Sequence, residues 1–312
     1  MTPLDTTVFA NHESRIMVQM FETQPTTSLP PKQMSKKAQR FTVEEKEHMQ
    51  LLLALVVPDR VGALPIRLNS VDLNQLTEDA ETAGVVSTLK ANAEHVGLHR
   101  LVELLEHPWQ RQCFQTRERL QVAHRATERL HEVVGGPPIA LGSLASTMTL
   151  YDMPDMRLSG TIHFLVPKGY ARAANAALSD LNDVKAVDCF VQNTPHREHH
   201  DRIWLRAAPP GISGWRLPAL EDLLLMSVQT ATQHEGLERL SALVDLTVMA
   251  NDYLVTWDVV AERARAVGLG ARLWHACIAA RCVTGALIDS QTIQSLKPGR
   301  WQRLIDRLVR IR

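Results

Sequence analysis

This sequence has few cysteines and no long apolar run. Its 312 residues include four cysteines without CxxC spacing, which disfavours a structural zinc site and a disulfide framework. We therefore interpret Cys113, Cys189, Cys277 and Cys282 as small core residues. No apolar run approaches the roughly 20 residues that a membrane-spanning helix needs. The N-terminus also lacks a basic region followed by an apolar stretch, so we predict a cytoplasmic protein without a secretory signal.

Neither sign of charge is in excess. The sequence has 34 Lys and Arg against 34 Asp and Glu, so a general attraction to nucleic acid or to an anionic membrane is not indicated. Four familiar motifs are missing as well, namely the GxSxG elbow, the P-loop, HExxH and GxGxxG. What is present is ordinary for a soluble globular protein, with 45% hydrophobic and 22% charged residues.

The chain divides into four segments by composition. Residues 1–40 are rich in Pro, Thr, Gln and Lys and are predicted to be a flexible arm. Apolar residues at helical spacing then predict an N-terminal helical region over 41–135, which the run from Gly135 to Pro138 ends. Residues 136–210 have mixed character, and residues 211–312 are again helical in pattern. The predicted fold class is α+β, predominantly helical, with one small mixed sheet in the middle.

The mixed segment predicts a compact unit of strands and helices. Apolar and β-branched stretches predict strands at 157–167, 186–192 and 202–207. The stretch 139–151 is predicted to start as a short strand or turn and to continue as a helix, and a further helix is predicted within 169–183. The very polar stretch 193–201 is predicted to be a loop between the last two strands. After it, Pro218 is predicted to open a long helix with acidic residues in its first turn.

A weak internal repeat links the two helical regions. The sequence from Leu73 to Leu89 aligns with the sequence from Trp257 to Leu273, with matching Glu, Ala, Gly and Leu positions. Two similar helix-turn-helix units, one on each side of the mixed segment, would explain this match. Chance similarity between two amphipathic stretches would also explain it.

Several motifs carry a resemblance to a known family. In the mixed segment they are Leu141-Gly142-Ser143, Tyr151, Arg157 and the run from Gly160 to Pro167, and farther on Glu221–Leu225, His234, Leu243–Leu246 and Trp257-Asp258. In this order and spacing, residues 46–290 resemble a bacterial family of uncharacterised nucleotidyltransferases of the polymerase-beta-like superfamily. The resemblance implies a nucleotidyltransferase core and transfer of a nucleoside monophosphate from a nucleoside triphosphate. It also implies nucleotide binding by Gly142, Ser143 and Arg157.

The expected metal ligands of this family are largely replaced. Two carboxylates spaced i and i+2 on one strand, with a third nearby, would hold two Mg²⁺ ions about 4 Å apart. The resemblance puts Thr161 and His163 at the two strand positions and Asp201 at the third. Neither Thr nor neutral His is a good Mg²⁺ ligand. We therefore predict no metal site and expect Thr161 and His163 to face the concavity that contains Gly142, Ser143 and Arg157.

Three functions remain open at this stage. The favoured prediction is a non-catalytic, nucleotidyltransferase-like protein that binds a nucleotide, another small molecule or a protein partner. The alternative is a divergent active enzyme that uses Mg²⁺ and a nucleoside triphosphate to modify a small molecule or a protein. In the third, the resemblance is false and the chain is an unrelated helical protein.

Two further features need separate interpretations. His196, His199 and His200 with Asp201 invite a metal site, but the polar surroundings favour a solvated loop without one. Asp245 is flanked by apolar residues, and a buried carboxylate must be paired or hydrogen bonded. We therefore expect Asp245 to have a structural partner such as an arginine or a helix N-terminus.

Overall fold

The computed structural model describes residues 48, 51–56, 71–157, 160–188, 198–233 and 240–298, with only the backbone described for 198–201. The predicted arm, Cys189, His196 and His234 lie outside these residues. The helices are α1 Leu73–Ala83, α2 Val86–His95, α3 His99–Val134, α4 Gly142–Leu150, α5 Ala171–Ala177, α6 Glu198–Arg206, α7 Leu220–Gln233, α8 Leu240–Asp252, α9 Trp257–Ala266, α10 Gly270–Ala279 and α11 Ser290–Leu296. Short 3₁₀ and π segments span Pro154–Met156 and Ala280–Thr284.

Residues 71–134 of the N-terminal region are mostly helical, as their apolar spacing predicts. Asp72 is the N-cap of helix α1, and its carboxylate accepts hydrogen bonds from the first-turn N–H groups of Asn74 and Gln75. Helix α3 is 36 residues long and buries one stripe of apolar side chains along its length. It ends at Gly135, which adopts the left-handed conformation (φ +71°) that favours glycine at a helix C-terminus. The predicted break after residue 134 is therefore confirmed.

The three strands found among the described residues form one mixed sheet in the order β1-β2-β3. Strand β1 is Ile139–Leu141, β2 is Ile162–Leu165 and β3 is Val184–Val187. Strands β1 and β2 are antiparallel, and the α5 crossover allows β3 to run parallel to β2. A mostly helical chain with this small mixed sheet is the α+β class that the sequence predicts.

One predicted strand is wrong. Residues 202–207 were expected to pair in the sheet, but α6 covers Glu198–Arg206. The side chains explain the helix, since Ile203 and Ala207 are buried at a spacing of four residues while Leu205 is 84% exposed. The predicted loop at 193–201 is also wrong for its last four residues, which form the first turn of α6. In addition, β3 starts at Val184, two residues earlier than predicted.

The two faces of the sheet differ in burial. One face carries only buried apolar side chains, and on it Phe164 packs against Trp215 at 6.2 Å between ring centroids. Trp215 also contacts the His124 ring on α3. The opposite face is buried at Ile139, Leu141 and Leu165, but His163 is half-buried and Lys185 is exposed. The accessible part of this face therefore lies near the point where β1 ends and α4 begins.

One hydrophobic core connects all parts of the described chain. Its buried side chains run continuously from Leu51 to Leu296 through the sheet and both helical regions. Two of the cysteines, Cys113 and Cys277, are buried as predicted, and Cys282 is half-buried. Within the described parts of the chain, no helix combines the length and the apolar character that crossing a membrane requires.

The internal repeat corresponds to two structurally equivalent units. In the first, α1 and α2 meet at Gly84 (φ +67°), and in the second, α9 and α10 meet at Gly268 (φ +74°). The two turns have equivalent hydrogen bonds. The Val85 N–H donates to the Ala80 carbonyl, and the Leu269 N–H donates to the Ala264 carbonyl. Equivalent positions are buried in both units, among them Leu76 and Val260, Ala80 and Ala264, Leu89 and Leu273, and Ala93 and Cys277. The described residues therefore contain a helix-turn-helix unit on each side of the sheet, as the first explanation of the repeat requires.

Candidate functional site

The turn between β1 and α4 is the first part of the candidate site. Gly142 begins α4 with a positive φ of +54°, a conformation that glycine adopts without strain. A Cβ added to Gly142 would meet no heavy atom within 4 Å, so the space beside the turn is open. Ser143 follows it and is half-buried. The first backbone N–H groups of α4 have no carbonyl partner within the helix and suit an anionic group.

Strand pairing positions this turn beside β2. Leu141, the last residue of β1, pairs with His163, and the chain then leaves the sheet through Gly142. Thr161 lies just before β2 and is half-buried, like His163. The structure therefore brings four of the predicted site residues, Gly142, Ser143, Thr161 and His163, to one end of the sheet. Their shared access to a bound ligand stays a prediction.

Lys185 completes a row across the three strands. His163 pairs with Leu141 on one side and with Lys185 on the other, so these three side chains share one face of the sheet. The Lys185 side chain is exposed. Sequence analysis missed this residue, although the pattern Val184-Lys185-Ala186 signals it, because one polar residue between two buried ones indicates an open strand face.

The surroundings of His163 favour the neutral form of its imidazole. Burial lowers the pKa of His163 from its ordinary value, and the nearby Lys185 ammonium lowers it further. A hydrogen bond with the Thr161 backbone offsets part of this shift. Among the described residues, the charged neighbour that moves this pKa is the Lys185 cation.

The residues at this end of the sheet do not fit a Mg²⁺ site. Mg²⁺ requires hard oxygen ligands, mainly carboxylates, whereas Thr161 offers a hydroxyl and His163 an imidazole. Within the described residues, no three His, Cys, Asp or Glu side chains converge in a way that could hold a metal ion. The predicted third acid, Asp201, lies in the first turn of α6, and its side chain is outside what the structure describes.

Arg157 is held in the interior and is not exposed beside the turn. It is 6% exposed, and it donates from Nε and Nη2 to the two carboxylate oxygens of Asp245 at 2.8 and 2.9 Å. The Tyr151 hydroxyl donates to the same carboxylate at 2.8 Å. Burial and the Asp245 carboxylate together raise the pKa of Tyr151 well above its ordinary value. The expected structural partner of Asp245 is thus confirmed as an arginine, while nucleotide contact by Arg157 stays a prediction.

A second ionic cluster fixes α6. Arg206 donates to both carboxylate oxygens of Asp222 at 2.8 and 2.9 Å, and Arg263 lies 3.3 Å from Asp222. Arg263 also donates to Glu221 at 3.3 Å. Since Asp222 is only 2% exposed, these pairs tie the end of α6 and the helix α9 to the start of α7. His199 and His200 belong to the same helix α6, which shows that this part of the histidine-rich stretch is helical.

A well-formed cleft lies elsewhere among the described residues. It encloses about 570 Å³ between the starts of α1 and α3, and its lining includes Asp72, Asn74, His99 and Arg100. None of the sequence-predicted site residues lines it. This cleft and the predicted site residues therefore lie in different places. The candidate site is the group of residues at the end of the sheet.

Comparison with known proteins adds no relative. No protein-family model, no curated protein and no solved structure matches this chain. The nucleotidyltransferase resemblance therefore rests on the sequence motifs alone, and the function of the site is a matter for proposal.

Proposed function

We propose that this protein binds a nucleotide, or a related phosphate-bearing ligand, at the Gly142–Ser143 turn and does not catalyse Mg²⁺-dependent nucleotidyl transfer. The observation that supports it most is the β1–β2 register, which sets the start of α4 beside Thr161 and His163. In this proposal the chain is a nucleotidyltransferase-like binding protein, as the sequence motifs predict.

The turn offers the groups that a phosphate needs. Backbone N–H groups at a helix start point outward and carry partial positive charge. The open space beside Gly142 lets a ligand approach the backbone more closely than any other residue type would permit. The exposed ammonium of Lys185 adds a full positive charge on the adjoining sheet face.

The same residues argue against transfer chemistry. Two-metal catalysis needs carboxylates to hold the ions that activate the attacking oxygen and neutralise the leaving pyrophosphate. Thr161 and His163 occupy the strand positions at which those carboxylates are expected, and neither can supply the negative charge. These side chains therefore support ligand binding without catalytic turnover.

A matched pair of glycine variants tests the proposal. Gly142→Ala places a methyl group in the open space beside the turn, whereas Gly135→Ala places one in equally open space at the end of α3. Both glycines have positive φ, so both variants carry similar strain of about 1 kcal/mol. We expect ATP affinity, measured by isothermal titration calorimetry, to fall about tenfold or more in Gly142→Ala only.

Pyrophosphate release separates the binding protein from the alternative enzyme. The purified protein should release no pyrophosphate from the common nucleoside triphosphates with Mg²⁺ or Mn²⁺. Equal ATP affinity in the two glycine variants, or no nucleotide binding by the wild-type protein, would contradict binding at this turn. Metal-dependent turnover that Asp201→Ala with His163→Ala abolishes would establish the divergent enzyme instead.

A further inference from the structure

The poor fit between this site and Mg²⁺ leads to a second inference, which rests on the proposed function. We infer that the site takes the phosphate group of its ligand free of a divalent cation, with the Lys185 ammonium supplying the positive charge that a metal ion would otherwise supply.

The geometry of the sheet supports this role for Lys185. It lies in the cross-strand row of Leu141 and His163, one strand farther from the Gly142 turn. Its side chain is exposed, and the long, flexible stem of lysine allows the ammonium to reach over the face. Lysine binds phosphate as a compact point charge with three donors.

The charges around Lys185 disfavour a divalent cation. Burial and the Lys185 ammonium lower the pKa of His163, and an imidazole offers no negative charge to a cation in either protonation state. Among the described residues, Asp183 directly precedes β3, and its backbone carbonyl accepts a hydrogen bond from the Ile162 N–H at 2.7 Å. A single carboxylate does not concentrate Mg²⁺, because the ion binds strongly only where several oxygen ligands converge.

Mg²⁺ should therefore compete with the site for the phosphates. In solution the ion binds the same phosphate oxygens and neutralises two negative charges of the nucleotide. We expect the full-length protein to bind ATP in excess EDTA at least as tightly as in excess Mg²⁺. Tripolyphosphate should compete with ATP in EDTA, and adenosine should not, because the contacts proposed here are to phosphate.

Two lysine variants test whether Lys185 supplies the positive charge that binds the phosphate. Lys185→Gln should weaken ATP binding in EDTA about tenfold, as expected for loss of one charge-assisted contact. Lys297→Gln removes an exposed lysine just after α11 and should bind ATP as the wild-type protein does. Circular dichroism of each variant checks that the fold is retained.

The outcomes separate this inference from the proposed function. ATP binding that requires Mg²⁺ would overturn the metal-free inference and leave nucleotide binding intact. Metal-free binding that is unchanged in Lys185→Gln would overturn the role of Lys185. Competition by adenosine but not by tripolyphosphate would show that the nucleoside is recognised, which also overturns the inference. No binding of ATP under either condition would overturn both proposals together.

Discussion

Individual residues in this protein divide between those that build the site and those that hold the fold around it. His163 and Lys185 lie on an accessible sheet face, whereas Arg157 and Asp245 form an enclosed pair between the segment before β2 and helix α8. Tyr151 strengthens that pair by donating to the same carboxylate. Removing either partner of an ion pair this deeply buried destabilises the fold, because the remaining charge is then buried without its counter-charge.

Removing one charge of the buried pair should destabilise the protein strongly. Asp245→Asn keeps the shape of the side chain but leaves the Arg157 guanidinium, which is 6% exposed, without its counter-charge. We expect the free energy of unfolding to fall by about 3–5 kcal/mol. Urea denaturation followed by circular dichroism measures the change.

Asp252→Asn is the control for this prediction. It makes the same substitution at the exposed end of the same helix, α8, and should change stability by less than about 0.5 kcal/mol. If Asp245→Asn cost no more than Asp252→Asn, the Arg157–Asp245 pair would not stabilise the fold in the way we describe.

At the scale of elements, the two helix-turn-helix units show how one local pattern is used twice. Both turns depend on a glycine with positive φ, Gly84 in the first unit and Gly268 in the second. The equivalent positions 79 and 263 carry side chains of opposite charge, since the Asp79 carboxylate lies 2.7 Å from His48 and Arg263 lies 3.3 Å from Glu221. The units therefore share their backbone and their buried face and differ in the polar contacts that dock them.

The shared turn predicts equal sensitivity to alanine. Gly84→Ala and Gly268→Ala should each lower the free energy of unfolding by about 1 kcal/mol, because alanine is strained at positive φ. Nothing lies within 4 Å of a Cβ added at Gly268, so strain is the whole cost in that unit. Gly136→Ala provides the comparison, since Gly136 has equal space without a positive φ and should be neutral. A neutral result at only one of the two turns would argue against structural equivalence.

At the scale of the molecule, the described residues share one core rather than separate ones. Buried side chains connect α1–α3, the sheet and α7–α11 without a break, although composition divides the sequence at residues 135 and 210. The ionic cluster around Asp222 adds a polar link between α6, α7 and α9. These segments consequently support one another.

A shared core predicts cooperative unfolding. The sheet and the flanking helices should unfold in one transition, because exposing one part removes the packing of the next. Far-ultraviolet circular dichroism, which reports the helices, and fluorescence of the six tryptophans should give the same urea midpoint. Separated midpoints would show that the segments are independent domains.

The sequence by itself determined the features that depend on neighbouring residues. Helix ends follow from Asp72, Gly135 and Gly84, whose local effects on the backbone need no distant partner. The strands at 139–141 and 162–165 follow from their apolar and β-branched composition. The stretch 202–207 was mistaken for a strand because three successive large apolar side chains at 203–205 fit a strand as well as a helix, and only burial of Ile203 and Ala207 distinguishes them.

The tertiary structure alone decided which distant residues meet. Arg157 and Asp245 are 88 residues apart, and their pairing holds the Arg157 guanidinium in the interior of the fold. The row that joins Leu141, His163 and Lys185 exists only because three strands from separate parts of the chain adopt one register. Such contacts depend on the summed packing of the whole core, and a sequence pattern that spans a few residues contains no record of that sum.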